Sequence, residues 1–459
     1  MRRVNIARYR RSAEATVPLL IATIKLFSFI LSSDESVAQL VGTQTDVFEL
    51  LANCFDMVSQ DNPAEGEELT LGLLNTFIGL SKSTDNQKQI SVVPSILSSL
   101  LTLAQAINYK HIQLRAIQTI QLLADNNREC CNALIRTGAA RTLQTVLDQT
   151  KSQLDIKAVT LSALWTLSGA ELGEQKAIAL LIGEKLLISI LQDTPLNNND
   201  DTHTLHKVAS EALGVLCRGP RSRQKEVLDC DAAKVYLSIL RSRNPTVVIE
   251  ILRSLALLCV GTGLVPNHAA QRVVAKAATG SSTTIRLILN LVLHSNSDPV
   301  SVSAAYTLAC LTLGNSTLFK ELELDPDWTF LHVVKLFYSQ DARVRLHAAA
   351  ALSIFCFNSP QNMNHIQEAI GGLTSDSMDD LINSTNTAYR YDAAFHQIVL
   401  AQVVDGKDPA MLAANGIKCL ITALKGVQDA EDSYDIELVA AAANHVASLI
   451  RLKGSGIAK

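Results

Sequence analysis

The stretch that decides the fold is NNRECCNALIRTGAARTLQTVLDQT (126–150), followed by SQLDIKAVTLSALWTLSG (152–169). Its apolar residues recur every three to four positions, which is the spacing of a helix with one buried face. Gly138 interrupts this pattern, and glycine accepts the left-handed conformation that ends many helices. The stretch therefore predicts a unit of three helices, in which the third is the longest.

The third segment of this unit recurs along the chain, with one apolar anchor residue in each copy. These anchors are Phe77, Ile120, Leu164, Leu213, Leu255, Leu308, Leu352, Ile398 and Val446, with Leu26 in an incomplete opening copy. The spacing of roughly 40 to 50 residues is typical of helical repeat arrays. Glycine breaks are also expected at Gly183 and Gly416, and helix starts at Asp85, Asn126, Asn244-Pro245 and Asp298-Pro299.

Two intervals are longer than the others and contain polar inserts. One is TPLNNNDDTHT (194–204), and the other runs from GTGLVPNHAA to GSSTT (261–284). Asparagine, aspartate, glycine and proline favour turns, so both inserts are predicted to be loops.

Composition limits the function classes. The formal charge is −4, whereas a general binder of nucleic acid or of acidic membranes would be basic. The nine cysteines contain no CxxC pair, which favours a reducing compartment, the cytoplasm or alternatively the nucleus. Four cysteines inside apolar helical stretches are predicted to pack in the core: Cys217, Cys259, Cys310 and Cys356.

The opening VPLLIATIKLFSFIL (17–31) is predicted to be the third helix of an incomplete first repeat. Leu20, Ile24, Phe27 and Leu31 fall on one helix face. The run is shorter than the roughly 20 residues of a membrane span. A mitochondrial presequence and a cleaved signal or anchor are the alternatives. Because the segment is so apolar, either the chain continues N-terminally, or a basic arm covers this face, or the face self-associates.

The NRECCNALIRTGA segment and the ALWTL third helix resemble armadillo repeats, as in beta-catenin and importin alpha. The resemblance implies an all-α, right-handed α-solenoid, a superhelix of about nine or ten armadillo-like three-helix repeats. We expect a basic arm at 1–16, one continuous array at 17–452 with incomplete first and last repeats, and a tail at 453–459. HEAT repeats, which usually have two helices, are the alternative.

Motifs of catalysis are missing from the sequence. It contains neither a phosphate-binding GxxxxGK[ST] or GxGxxG loop nor a GxSxG or HExxH motif. HTLH (203–206), with Asp200 and Asp201, has metal-ligand types but lacks a further ligand group at fixed spacing, so a solvated insert is expected. The sequence predicts no catalytic residue, no cofactor and no metal.

The resemblance implies that third helices line a concave surface that binds extended peptides. Importin-type members carry a Trp and, four residues later, an Asn on this helix, but the Asn-equivalent positions here are Leu122, Thr166, Val215, Leu257, Cys310 and Ile354. The predicted partner-binding residues are Arg115, Gln118, Trp165, Glu211, Arg253, Tyr306 and His347. Trp165 and Tyr306 are equally open to packing between repeats.

Two charged segments stand outside the third helices. CRGPRSRQKE (217–226) is predicted to be a basic loop, and with RSR (241–243) it could form a ridge of Arg218, Arg221, Arg223, Lys225, Arg241 and Arg243. An ordinary solvated linker is the alternative. The segment DAEDSYDIE (429–437) is predicted to be an acidic loop that solubilises the end of the array.

The predicted function is that of a non-enzymatic scaffold or adaptor for protein or peptide partners, without nucleic-acid binding and without a membrane span. A transport receptor or a regulatory subunit of a larger assembly is the alternative, including the C-terminal part of a longer multidomain protein. Stacked helices present a large rigid surface at low ordering cost, which is the physical reason for this expectation.

Overall fold

A computed structural model describes residues 19–33, 35–44, 46–60, 66–150, 153–169, 172–197, 199–261, 264–278, 282–358, 360–370, 373–374, 380–401, 404–405, 408–425 and 433–454. Helices dominate these residues and follow the predicted three-helix pattern, which confirms the all-α solenoid of armadillo-like repeats. We number the repeats 1 to 10. The arm at 1–16 and residues 455–459 of the tail lie outside the described residues.

The third helices are the longest elements in most repeats. From repeat 1 to repeat 10 they are 19–33, Glu67–Leu80, Lys110–Ala124, Leu154–Leu167, Asp200–Cys217, Pro245–Cys259, Asp298–Thr312, Ala342–Asn358, Thr387–Leu400 and Ser433–Gly454. Each predicted anchor falls on one of them.

The first and second helices precede each third helix. The first helices of repeats 2 to 9 are Glu35–Gly42, Thr84–Ser91, Arg128–Thr137, Leu172–Ile182, Arg221–Asp229, His268–Lys276, Ser316–Glu323 and Pro360–Ile370. The second helices of repeats 2 to 8 are Val47–Gln60, Pro94–Ala104, Ala139–Gln149, Glu184–Asp193, Ala232–Ile239, Thr284–His294 and Leu331–Phe337. In repeat 9, residues 380–382 are helical, and in repeat 10 one helix, Pro409–Lys425, precedes the third.

The chain forms two compact units. Unit 1 comprises 1–183 and 197–208, and unit 2 comprises 184–196 and 209–459. Each unit stacks consecutive third helices side by side, with first and second helices packed against them. That 17–452 forms one continuous array stays a prediction.

The anchors show where the core lies. Seven are fully buried: Phe77, Ile120, Leu164, Leu213, Leu255, Leu308 and Leu352. Ile398 and Val446 are half-buried. Leu26 was wrong as an anchor, because its side chain is 61% exposed. The anchor positions therefore mark the core in repeats 2 to 8.

The helix of repeat 1 buries the predicted face. Ile24 and Leu31 are buried against Gly72 and Gly79 of repeat 2, where an added Cβ would lie 2.8 Å from each side chain. The opposite face leaves Leu26 and other large apolar side chains exposed, among them Leu19 and Phe29. Self-association through this face stays a prediction. No described helix is long and apolar enough to cross a membrane.

Helix ends follow the predicted residues in most places. Gly138 and Gly183 both adopt positive φ angles between first and second helices, as predicted. Asn244 accepts a hydrogen bond from the Thr246 backbone N–H and precedes Pro245. Asn126 was wrong as a cap, because Asn127 accepts from the Cys130 backbone N–H.

The remaining predicted starts are shifted as well. Asp85 lies in the first turn of a helix that begins at Thr84, and Asp298 is the first residue of its own helix. Both carboxylates therefore lie near the positive end of a helix dipole rather than at the cap position.

The break predicted at Gly416 was also wrong. Residue 416 lies inside the continuous helix Pro409–Lys425 and is buried. A Cβ there would lie 2.6 Å from the Ala394 carbonyl oxygen and 2.6 Å from Ile398 Cγ1. Gly416 therefore allows two helices to approach closely, which is a different use of glycine from a helix end.

The polar inserts are partly ordered. Residues Asp200 to Thr204 belong to the third helix of repeat 5, so the loop predicted at 194–204 was too long. In the other insert, β1 (Val260–Gly261) pairs antiparallel with β2 (Val265–Pro266), and a helix begins at His268. A second pair, β3 (Leu373–Thr374) and β4 (Val404–Asp405), is parallel.

A set of buried side chains on the first helices connects the repeats. Gln87 Nε2 donates to the Ser81 carbonyl oxygen at 2.8 Å and to the Leu122 carbonyl oxygen at 2.9 Å. In unit 2, Gln224 Nε2 donates equivalently to the carbonyls of Cys217 and Leu257, at 2.9 and 3.0 Å. Each amide thus holds the ends of two successive third helices.

Capping asparagines extend this arrangement. Asn127 Nδ2 donates to Gln87 Oε1 at 3.0 Å, and Asn267 Nδ2 donates to Gln224 Oε1 at 2.9 Å. Among the described residues, such a relay of asparagine, glutamine and carbonyl is therefore seen in both units. Buried amides that are satisfied in this way favour one register of packing.

The cysteines predicted to lie in the core do so. Cys217, Cys259, Cys310 and Cys356 are fully buried, and none of the nine thiols is in a disulfide. Burial raises the pKa of Cys217, Cys310 and Cys356 to about 12. These thiols stay protonated at neutral pH.

Candidate functional site

In unit 1 an open pocket of about 310 Å³ lies between the third helices of repeats 2 and 3. Its lining residues are Leu71, Asn75, His111, Leu114, Arg115 and Gln118, and we call it the unit 1 pocket. Arg115 and Gln118 were predicted as partner-binding residues, and the structure brings them together: Arg115 Nη1 donates to Gln118 Oε1 at 3.0 Å. The guanidinium remains exposed.

Local sequence explains the shape of this pocket. His111, Arg115 and Gln118 follow helical spacing along Lys110–Ala124, so they share one face. Leu71 and Asn75 occupy the same face of Glu67–Leu80. The buried residues of both helices point the other way, which leaves these side chains at the surface between the helix axes.

The exposed faces of neighbouring third helices continue beyond the pocket, and we call them the third-helix surface of each unit. In unit 1, Gln121 Nε2 donates to Ser162 Oγ at 2.9 Å and joins repeat 3 to repeat 4. Trp165, one turn after Ser162, is half-buried. The indole thus lies on the same helix face as the predicted binding residues and is partly available to a partner.

In unit 2 the third-helix surface carries the other predicted residues. The rings of Tyr306 and His347 meet edge to face, with 6.4 Å between centroids. Exposed Arg253 lies 3.9 Å from Glu250 of its own helix, and Glu211 is half-buried. The structure therefore brings Tyr306 and His347 together.

The sequence left Tyr306 open to partner binding or to packing between repeats, and the structure shows packing, while partner binding stays a prediction. The Cys310 thiol and burial raise the pKa of the Tyr306 hydroxyl well above its usual value. The hydroxyl end therefore packs inside, while the side chain as a whole is only half-buried.

The basic segment differs from its prediction. Residues from Arg221 onward form the first helix of repeat 6, so the predicted loop is mainly helical. Arg223 is ion-paired with Glu226 and lies 3.6 Å from Glu184. Arg221 donates to the Pro266 carbonyl at 3.4 Å, while Arg218, Lys225, Arg241 and Arg243 are exposed. That these residues form one functional ridge stays a prediction.

The other two motifs from the sequence, HTLH (203–206) and the acidic segment 429–437, lie at least partly in helices. His203 and His206 lie in the helix Asp200–Cys217, and the described residues contain no group of three or more metal-ligand side chains. Of the predicted acidic loop, residues 429–432 lie outside the described residues, and the remainder is the start of the helix Ser433–Gly454.

Sequence reasoning missed four pocket residues and the buried glutamines. Asn75 and Leu71 precede Gln118 and Leu114 by the same interval that separates anchors Phe77 and Ile120. Extending the groove positions to repeat 2 by that interval would have found them. The glutamines carried a weaker signal, since each of Gln87, Gln224 and Gln271 stands four residues after a cap position.

The Asn-equivalent positions have a structural use of their own. The carbonyl oxygens of Leu122, Leu257 and Cys310 accept from the glutamine amides, and that of Thr166 lies 3.8 Å from Cys131 Sγ. These positions are therefore engaged through their backbone.

A histidine cluster joins the last third helices of unit 2. His396 Nδ1 lies 3.0 Å from Ser353 Oγ, and His445 Nε2 lies 2.8 Å from Asp392 Oδ1. Burial, aided by the facing charges of His445 and His347 and opposed by Asp392, lowers the pKa of His396 to about 3. His396 is therefore neutral in the folded protein at neutral pH.

This cluster predicts a loss of stability in mild acid. In the unfolded chain the pKa of His396 is near 6.5, so between pH 6.5 and pH 3 the unfolded state binds a proton that the folded state does not bind. The contribution of His396 to the free energy of unfolding is complete above pH 6.5 and is lost as the pH falls toward 3. At pH 5 the free energy of unfolding should already be lower by about 2 kcal/mol. Urea unfolding at pH 7 and pH 5 should show a smaller pH effect in His396→Gln than in the wild type. Equal pH effects would contradict this assignment.

Comparison with known proteins places this geometry in context. The chain is 27% identical over 256 residues to the mouse ankyrin and armadillo repeat-containing protein, covering 55% of this chain and 17% of the relative. The human protein of the same name is 27% identical over 202 residues, 44% of this chain and 14% of the relative. The chain thus spans about a sixth of the length of these relatives. No family model matches.

A solved structure supports the fold. The crystal structure of an engineered protein superimposes with a TM-score of 0.62 at 20% identity, covering 94% of this chain and 95% of that chain. At this identity the likeness concerns the fold alone. Together with the three-helix repeats, it supports an armadillo-like solenoid fold, and the two relatives to which the chain is similar carry armadillo repeats in their names.

Proposed function

We propose that the chain is a non-enzymatic scaffold or adaptor that binds extended segments of protein partners on its third-helix surfaces. The observation that carries the proposal is the unit 1 pocket, which lies between two successive third helices and is lined by arginine, histidine, amide and leucine side chains. Such groups bind backbone amides and side chains of a peptide. Arginine and aromatic residues also dominate measured binding energies.

The chemistry of the described side chains favours binding over catalysis. Arg115 and Gln118 form hydrogen bonds, and Tyr306 and His347 form ring contacts. The fully buried thiols have raised pKa values and are poor nucleophiles. We place this activity in the cytoplasm, with the nucleus as the alternative.

Affinity capture with mass spectrometry tests the unit 2 surface. The wild type is compared with a variant carrying Arg253→Glu and Tyr306→Ala. The matched control carries Arg272→Glu and Tyr338→Ala, two exposed residues off the third helices. Circular dichroism must first show that all three are equally helical. We expect the control to recover the same partners as the wild type. The variant should recover at least tenfold less of those partners that bind the unit 2 surface.

Retention of the same partners by all three proteins would contradict binding on the unit 2 third-helix surface. Loss from both substituted proteins would contradict it equally, since the control changes the same charge and ring outside that surface.

A further inference from the structure

We propose that the unit 1 pocket binds the carboxylate of an aspartate or glutamate side chain in an extended peptide segment. This inference rests on the proposed function and adds the chemical class of the partner. Arg115 is the residue that recognises the carboxylate.

The charge around the pocket points to an anion. The helix Lys110–Ala124 contains three basic residues, Lys110, His111 and Arg115, and neither aspartate nor glutamate. None of the six residues that line the pocket is acidic. On the flanking helices, Glu68 is paired with Lys25 at 3.0 Å and Asp155 with Lys110 at 2.8 Å. Glu68 and Asp155 are thus engaged by other cations. Glu67 is the other acid of the helix Glu67–Leu80, and among the described residues it forms no ion pair with Arg115, whose side chain contacts Gln118. Arg115 therefore keeps its charge for a ligand.

The N–H groups of Arg115 and Asn75 can donate hydrogen bonds to the two oxygens of a carboxylate. Gln118 Oε1 accepts from Arg115 Nη1 and restrains the guanidinium, while the other guanidinium N–H groups stay available. The Asn75 amide on the facing helix supplies further N–H groups. Leu71 and Leu114 supply apolar surface for the methylene groups of the incoming side chain.

A carboxylate fits this site better than a phosphate. Phosphorylated residues are recognised by clusters of arginines, because a dianion needs more than one cation. Here Arg115 supplies the one guanidinium among the lining residues, and the nearby Lys110 is ion-paired with Asp155. One arginine with neutral amides matches a monoanionic carboxylate.

Peptide pools test the proposal on the full chain. Nonapeptides with random flanks and a fixed central residue are labelled, and their affinity is measured by fluorescence anisotropy. The central residue is Glu, Asp, Gln, phosphoserine or Lys. We expect the Glu and Asp pools to bind about tenfold more tightly than the Gln pool, as for one charge-assisted hydrogen-bonded contact.

Two variants localise the effect. Arg115→Gln should remove the tenfold preference. Arg141→Gln should keep it, because Arg141 is also an exposed arginine but lies on the second helix of repeat 4, outside the pocket. The acidic preference should also shrink as salt is raised, since the site is exposed.

The outcomes separate this inference from the proposed function. If the wild type binds all pools equally, the carboxylate site is wrong and peptide binding stands. If it binds none, both fail for unit 1. Tightest binding of the phosphoserine pool, or an unchanged preference in Arg115→Gln, would also overturn the carboxylate assignment.

Discussion

Replacing Phe355 by alanine is expected to lower the free energy of unfolding by about 4 kcal/mol. Its ring is fully buried in the third helix of repeat 8 and contacts three other aromatic rings. The centroid distances are 5.5 Å to Trp328, 5.4 Å to Phe330 and 6.3 Å to Phe319. Alanine removes these contacts and leaves a cavity that rigid neighbouring helices cannot fill.

The matched control is Phe29→Ala. This phenylalanine is 68% exposed, so its removal should change the free energy of unfolding by less than about 0.5 kcal/mol. Urea unfolding followed by circular dichroism measures both variants. Similar losses in the two variants would contradict the packing assigned to Phe355.

Replacing Gln271 by leucine is expected to cost about 3 kcal/mol, because two buried carbonyl oxygens lose their side-chain donor. Gln271 is fully buried, and its Nε2 donates to the Cys310 carbonyl at 3.0 Å and to the Leu313 carbonyl at 2.9 Å. Leucine has a similar volume but cannot donate a hydrogen bond. The loss therefore reports on hydrogen bonding rather than on a cavity.

The control for this prediction is Gln192→Leu on the second helix of repeat 5. Gln192 is exposed in the same unit, so the substitution should be nearly neutral. Thermal and urea unfolding of both variants measure the difference. A Gln271→Leu protein as stable as Gln192→Leu would show that the two hydrogen bonds contribute little.

The repeat architecture could be predicted because its signals are local. The three-to-four-residue spacing around Ile120 and Leu164 reflects burial that each helix repeats in every copy. Gly138 was identified for the same reason, since a helix end depends on a few adjacent residues. These features need no knowledge of distant contacts.

Two of the wrong predictions, Gly416 and Leu26, depended on the neighbouring helix. Gly416 was assigned to a turn, yet it is needed where the Ala394 carbonyl approaches. Leu26 matched the anchor pattern but is exposed, because Ile24 and Leu31 are the side chains of that helix that pack against repeat 2. A periodic pattern describes one helix and cannot specify what lies opposite it.

The candidate site was predicted in part. Arg115 and Gln118 were expected on the binding surface and line the unit 1 pocket, while their contact and the opposing Asn75 depend on how two helices pack. The relay from Asn127 through Gln87 to Leu122 joins three helices, so single-helix periodicity could not show it.

The glutamine relays bear on how such a chain changes by duplication or loss of repeats. Gln87 belongs to repeat 3 but also holds the end of repeat 2, and it receives the asparagine of repeat 4. Excising one repeat would place a glutamine amide opposite a different backbone carbonyl. The new junction would be stable only if that carbonyl lay within hydrogen-bond distance of the amide. The repeats of this chain are thus matched to their neighbours and are not interchangeable modules, which constrains where recombination yields a folded protein.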